Sequence, residues 1–170
     1  MTEMTFTATG RGKFSGGDLT CQCALGRGGV IDALQKREGD GASPLGAWRM
    51  KRVFYRPDRL PRPKTNLPVI PLSEHDGWCD APGHSLYNRP VTLPFDASHE
   101  KLWRDDHVYD LIVELSHNDD PVVPHLGSAV FMHLAHDDLR PTEGCVAIPR
   151  DYMLSVLRVA SSDSSVEILF

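Results

Sequence analysis

Apolar positions in this chain recur mostly at every second residue, the spacing of strands whose side chains alternate between two faces. Thr5 to Ala8 and Leu19 to Leu25 fit strands around Gly10, Gly16 and Gly17, predicting an N-terminal hairpin or meander. Leu19, Cys21, Cys23 and Leu25 then share one face, where cysteine serves as a small apolar core residue. Ala47 to Phe54 reads as a further strand. Tyr109, Leu111, Val113 and Leu115 alternate with Asp110, Ile112, Glu114 and Ser116, giving a strand with one apolar face. Ser128 to Ala135 reads as a more fully buried strand, and Val166, Ile168 and Phe170 fit a last one. Helix is predicted twice: from His99 to about Asp105 behind Ser98 as N-cap, and from Pro149 to Ala160, where Met153, Leu154, Leu157 and Ala160 share a side.

Turn residues organise the rest. Lys36 to Gly46 is dense in Gly, Asp, Ser and Pro and reads as a surface loop leading into the strand at Ala47. Between Arg56 and Pro94, Pro57, Pro61, Pro63, Pro68, Pro71, Pro82 and Pro90 remove backbone donors and argue against regular helix. Such a long irregular stretch inside a domain is usually functional or mobile. The result is a mainly β chain with two or three short helices. Its 170 residues, 41% of them apolar, suffice for one core, so a single domain over residues 1–170 is expected.

Charge narrows the partners. A formal net charge of -5 gives no global reason to expect nucleic acid or an anionic membrane surface. The apolar run from Ala129 to Ala135 falls far short of the roughly 20 residues that span a bilayer. The N-terminal residues show no signal-peptide pattern, which leaves the chain mature, cytoplasmic, or exported by an unreadable route. Cys21, Cys23, Cys79 and Cys145 contain no C-x-x-C pair, and His136 beside Asp137 and Asp138 reads as solvated loop, so no metal is expected. The pattern carries no signal for oligomeric state.

Candidate chemistry concentrates between Gly127 and Arg150, where an apolar run carries His133 and Cys145 follows twelve positions later. A thiol and an imidazole on neighbouring segments are the minimum for thiol nucleophilic catalysis. Gly144 permits a sharp turn and close approach of a carbonyl, and the Cys145 N–H can face a developing oxyanion. A buried structural Cys beside a core His fits the same local pattern.

The ordered set Glu38-Gly39-Asp40-Gly41-Ala42-Ser43-Pro44-Leu45-Gly46, Asp76-Gly77-Trp78-Cys79-Asp80, Tyr87-Asn88-Arg89-Pro90-Val91, Gly127 to His133 and Pro141-Thr142-Glu143-Gly144-Cys145-Val146-Ala147 resembles the L,D-transpeptidase catalytic domain, the YkuD or ErfK family. The resemblance spans about Thr5 to Phe170 and implies a β-sandwich-like domain without a cofactor. It also implies a Cys145 thiolate that attacks the meso-diaminopimelate carbonyl of a peptidoglycan tetrapeptide, with His133 as base. Released D-alanine would leave an acyl group to pass to an amine or, for a carboxypeptidase or amidase, to water. The Gly144 and Cys145 amides would serve the oxyanion and Thr142 would orient the site.

Two positions depart from the family signature. Glu143 stands where a second His precedes the Gly-Cys, and Ala147 where an Arg follows; the interval from His133 to Cys145 is also shorter. Arg150 is a candidate replacement cation. Trp78, Tyr87, Asn88 and Arg89 either line a glycan or peptide groove or pack the irregular stretch onto the sheet. Glu100 and Arg104 either form a solvated helical pair or meet the zwitterionic diaminopimelate side chain. The departures leave two further readings open: a non-catalytic peptidoglycan-binding scaffold and a wall-targeting effector. A peptidoglycan substrate leads to an expectation of cell-envelope or periplasmic location.

Overall fold

In the computed structural model, which describes residues 3–170, most of the alternating segments become strands. In chain order these are β1 (Thr5–Thr9), β2 (Lys13–Gly16), β3 (Leu19–Gln22), β4 (Val30–Ile31), β5 (Ser43–Pro44), β6 (Gly46–Tyr55) and β7 (Val69–Pro71). Then follow β8 (Asp76–Cys79), β9 (Pro90–Thr92), β10 (His99–Lys101), β11 (Leu111–Leu115), β12 (Phe131–Leu134), β13 (Val146–Ile148), α1 (Arg150–Val159) and β14 (Ser165–Leu169). The main sheet runs β13-β12-β11-β6-β14-β1-β2-β3, with β7 beside β6, and β10-β8-β9 form a smaller antiparallel sheet. The predicted meander is present as β1 to β3, with Phe6 and Phe14 stacked at 5.7 Å.

The end of the main sheet formed by β6, β11, β12 and β13 is covered on both sides. On one face Val53, Leu111, Val113, Met132, Leu134, Val146 and Ile148 pack with Met153, Val156 and Leu157 of α1. On the other, Phe54, Ile112, Phe131 and Cys145 cluster with Trp78 and Leu102 from the smaller sheet. Each large apolar side chain so buried contributes about 1.5–3 kcal/mol. This corrects the expectation of one apolar face at Tyr109 to Ser116: all of β11 is buried, and Glu114 is accommodated there by ion pairs with Lys51 and Arg52.

Among the described residues α1 is the only α-helix, fewer than the two or three expected. Its Asp151 and Arg158 complement the helix dipole at either end. The predicted helix at His99 is instead β10. Its backbone completes the small sheet by pairing with β8, and the Ser98 hydroxyl donates to Asp80 (2.6 Å) rather than capping a helix. The proline-rich stretch holds β7, β8 and β9, with Pro71 ending β7 and Pro90 opening β9, strand-end positions where a missing N–H is tolerated. Nor is Lys36 to Gly46 a surface loop throughout, since Lys36 and Gly41 to Pro44 are buried.

Candidate active site

Parallel pairing of β12 with β13 sets Met132 against Val146 and His133 against Ala147, which places Cys145 at the mouth of β13. Its sulfur is held on two sides. The thiol donates to the Ala129 carbonyl (3.2 Å), and Sγ accepts from the Phe131 N–H (3.4 Å). Ala129 takes a left-handed backbone (φ 53), costing an L-residue about 1–2 kcal/mol. What opposes that cost is the bond from its N–H to Asn88 Oδ1 (2.9 Å).

The turn before Cys145 explains Gly144. At φ 131 its backbone favours glycine, and a Cβ there would stand 2.9 Å from the Ala42 carbonyl. Ser43 locks this contact, donating to the Gly144 carbonyl (2.9 Å) while accepting from the Gly26 N–H (2.9 Å). Thr142 closes the turn from inside: its hydroxyl donates to the Cys145 carbonyl (2.7 Å) and accepts from the Gly144 N–H (3.1 Å). Thr142 therefore orients backbone, and the Gly144 amide is already engaged. The Cys145 N–H makes no hydrogen bond among the described residues, so of the two expected oxyanion donors it is the available one.

A neutral His133 with its proton on Nδ1 donates to the Leu134 carbonyl (2.9 Å), which leaves Nε2 as the acceptor. Burial, with a smaller contribution from the Arg104 charge, pulls its pKa down to about 4 despite that bond. Burial first, and then the Glu100 carboxyl, push the Cys145 thiol up to about 12. Between those values both groups are neutral.

His133 and Cys145 line one cavity of about 480 Å³, together with Lys36, Glu38, Asp80, Glu100, Arg104, Tyr109, His136, Arg140 and Thr142. The segment bearing Glu100, Arg104 and Tyr109 is pinned from outside. Arg56 stacks 3.6 Å from the Trp103 ring and donates to the Arg104 carbonyl (2.6 Å), while Arg59 donates to the carbonyls of Asp105 (3.0 Å) and Asp106 (2.6 Å). Tyr109 donates to Glu100, whose carboxyl is raised above its ordinary pKa chiefly by burial. Arg104 takes Asp106 as its partner (2.6 Å), not Glu100 as a helix would have required.

Other expected contacts lie elsewhere. Trp78 is 2% exposed and packs edge-on against Phe131 (5.0 Å) and Phe54 (6.4 Å), so it is core rather than groove. Tyr87 is buried, its hydroxyl donating to Glu38 (2.7 Å) and accepting from the Gly127 N–H (3.0 Å). Asn88 is a buried connector of backbone segments, and Arg89 donates to the Asp119 carbonyl (2.6 Å). Arg150 is exposed at the start of α1 and does not line the cavity. Glu143 swings outward, its side chain 78% exposed, and pairs with Arg27 (2.9 Å). Ala147 is buried, packs with Ala24 and Ala135, and lines the cavity beside Cys145, so its small side chain leaves open the space an arginine would take. Ser43 lies inside the quoted Glu38 to Gly46 motif without a role read for it, and Lys36, Arg56 and Arg59 are marked by no local motif. The turn cluster at Lys36 to Gly46 was the available signal.

A family model for the L,D-transpeptidase catalytic domain, YkuD, matches residues 4–168. The chain belongs to this family. Solved structures similar to it include L,D-transpeptidase 1 of Mycobacterium tuberculosis (TM-score 0.44) and an L,D-transpeptidase from Mycobacterium smegmatis (TM-score 0.46). Each is 11% identical over 98% of this chain, and the chain covers 62% and 58% of their respective lengths. No curated protein sequence matches. In this L,D-transpeptidase-family domain the Cys-bearing turn is held by Thr142, Ser43 and Ala42, while the position before Gly144 faces solvent.

Proposed function

We propose that this domain is a cysteine acyltransferase acting on the tetrapeptide stems of peptidoglycan, carrying the acyl group as a thioester on Cys145. The observation that carries the reading is the convergence of the Cys145 thiol and the His133 imidazole on one cavity whose walls bear both carboxylates and cations. A stem cut at meso-diaminopimelate presents an ammonium and a carboxylate beside the reacting carbonyl. Arg104 suits the carboxylate, and Glu38 and Asp80 suit the ammonium.

In the first half-reaction Cys145 Sγ bonds the carbonyl carbon as its proton passes to His133 Nε2, and the carbonyl π electrons move to the oxygen facing the Cys145 N–H. Collapse restores the carbonyl and breaks the bond to D-alanine, whose nitrogen takes the proton from His133. An acceptor amine then attacks the thioester, gives its proton to His133, and displaces the Cys145 sulfur, which recovers a proton. With an amino-sugar-linked stem as acceptor the product is a cross-link, with a D-amino acid it is an exchanged stem, and with water a shortened one. No metal or organic cofactor takes part in this scheme, and its substrate places the working protein in the cell envelope.

The test is incubation with purified disaccharide-tetrapeptides, with and without added D-amino acid, followed by mass spectrometry of the muropeptides. Wild-type protein is expected to release D-alanine and give cross-linked, exchanged or shortened stems, and Cys145→Ala to give none. Binding of the muropeptide without turnover at any pH between 5 and 9, a range of roughly four pH decades around neutrality, would instead make the domain a wall-binding scaffold.

A further inference from the structure

The Cys145 thiol is surrounded by groups that oppose its ionisation. Burial comes first, Glu100 and Glu143 add negative charge, and Tyr109 and the neutral His133 supply no cation. Only the Phe131 N–H and the charge of Lys36 act the other way. Lys36 is an unusual residue to find there. Its side chain is 4% exposed, and a lysine so buried is almost always paired, here with Asp40.

Geometry fixes where that charge sits. The Lys36 stem lies against Gly127, where a Cβ would come within 3.1 Å of Cε. Its Nζ stands 3.8 Å from the point a Cβ on Gly144 would occupy, over the backbone that carries Cys145. Nζ donates to the Arg37 carbonyl (3.1 Å) and to the Asp40 carboxylate, two of its three protons. Asp40 also accepts from the N–H groups of Arg37 (2.9 Å) and Ala42 (2.9 Å), and Ala42 is the residue whose carbonyl abuts Gly144. The other titratable group packed here, His117, is driven down to about 4 by burial and then by Lys36, and so adds no charge. A buried ion pair used only for structure gains little over an apolar pair of the same volume. Lys36, unlike Asp40, also lines the cavity that Cys145 lines, where its charge has an electrostatic use.

We propose that Lys36, held by Asp40, is the cation that stabilises the Cys145 thiolate as it forms, taking the place of the histidine that Glu143 replaces in the family signature. Lys36 acts through Cys145 and is a positioning residue in the sense that its charge, not its contact with substrate, is what matters. The inference rests on Cys145 being the acylated residue, but its test reads the thiol directly and is independent of the peptide substrate.

The measurement is the rate of iodoacetamide alkylation of Cys145 against pH, followed on the Cys145 peptide by mass spectrometry so that Cys21, Cys23 and Cys79 do not contribute. Only the thiolate reacts, so the rate tracks the ionised fraction. Lys36→Met is expected to lower the rate at pH 8 about tenfold, the effect of moving a thiol up by about one pKa unit when a nearby cation is lost. Lys36→Arg should retain most of the wild-type rate. Asp40→Asn keeps the ammonium and removes its counter-charge, so the rate should rise about threefold or more. Opposite signs for Lys36→Met and Asp40→Asn are not produced by loss of structure, which would shift both variants the same way. A folded Lys36→Met within twofold of wild type overturns the proposal. If Lys36→Met fails to fold, Asp40→Asn decides: a rise supports the proposal, and an unchanged or lower rate overturns it.

Discussion

Replacing His133 by Gln is expected to lower kcat/KM for tetrapeptide stems by roughly a hundred- to ten-thousand-fold at neutral pH, the usual range for a positioned general base. Gln keeps a polar side chain of similar reach but cannot accept the thiol proton and later return it. The same substitution should change the pH profile. Burial, assisted by Arg104, sets the His133 pKa at about 4, so its basic form is present above that value and is lost as pH falls through it. Wild-type kcat/KM should therefore climb on the acid side near pH 4 and run flat through neutrality, since the thiol does not ionise freely until about pH 12. His133→Gln should lose the acid limb along with the rate. A wild-type profile rising through pH 6 to 8 would instead indicate a preformed thiolate and imidazolium, contrary to the neutral pair described above.

Asn88→Ala should be the most damaging change away from the reacting atoms. The Asn88 side chain makes four hydrogen bonds in a buried place. Its Oδ1 accepts from Trp78 Nε1 (2.9 Å) and the Ala129 N–H (2.9 Å), and its Nδ2 donates to the carbonyls of His117 (3.2 Å) and Asn118 (2.7 Å). Alanine leaves all four partners buried without it, at about 1–3 kcal/mol for each group that water cannot reach. Relaxation recovers part of that, so a net loss of about 3–4 kcal/mol is expected. For a chain of this size that is a fall in Tm of about 6–16 °C. Activity should fall further than stability alone explains, because the bond to Ala129 holds the strained carbonyl that fixes the Cys145 sulfur. Asn88→Asp should also be destabilised, since it keeps the accepting oxygen but sets a second one against two carbonyls. A thermal melt of the three proteins, with substrate turnover measured well below their Tm values, checks both parts.

The features that sequence revealed and those it hid differ in how local their causes are. The strand at Ala47 to Phe54, the buried strand that carries His133 and the helix after Pro149 are recorded in periodicity, because each element's own side chains decide which face is buried. The helix expected at His99 had the right spacing and an N-cap residue. It became β10 because the edge of β8 offered backbone partners, a tertiary cause that no window of seven residues contains. Trp78 and Asn88 were recognisable as members of an ordered motif. Their orientation was not, since aromatic and amide side chains suit a groove or a core equally well until Phe54, Phe131 and the His117 carbonyl are set around them.

Of the candidate residues named from sequence, Thr142, Gly144 and Cys145 share one turn, and His133 lines the same cavity from β12. Glu143 puts a carboxylate where the family signature has a histidine. Its pairing with Arg27 turns it to solvent, and the buried cation comes from Lys36, more than a hundred residues away in sequence. A lysine in a Gly-rich turn gives no sign of burial. Only the packing of that turn beneath Gly144 does, through Ala42 and Ser43.

The proposed reaction requires Cys145 to carry the acyl group. Intact-protein mass spectrometry after brief mixing with a disaccharide-tetrapeptide, quenched in acid to preserve a thioester, tests it most directly. The expected result is a protein heavier by the substrate less one D-alanine, with the adduct mapped to the Cys145 peptide, removed by hydroxylamine and missing in Cys145→Ala. Turnover of the substrate by Cys145→Ala, or an adduct mapped to another residue, would contradict it.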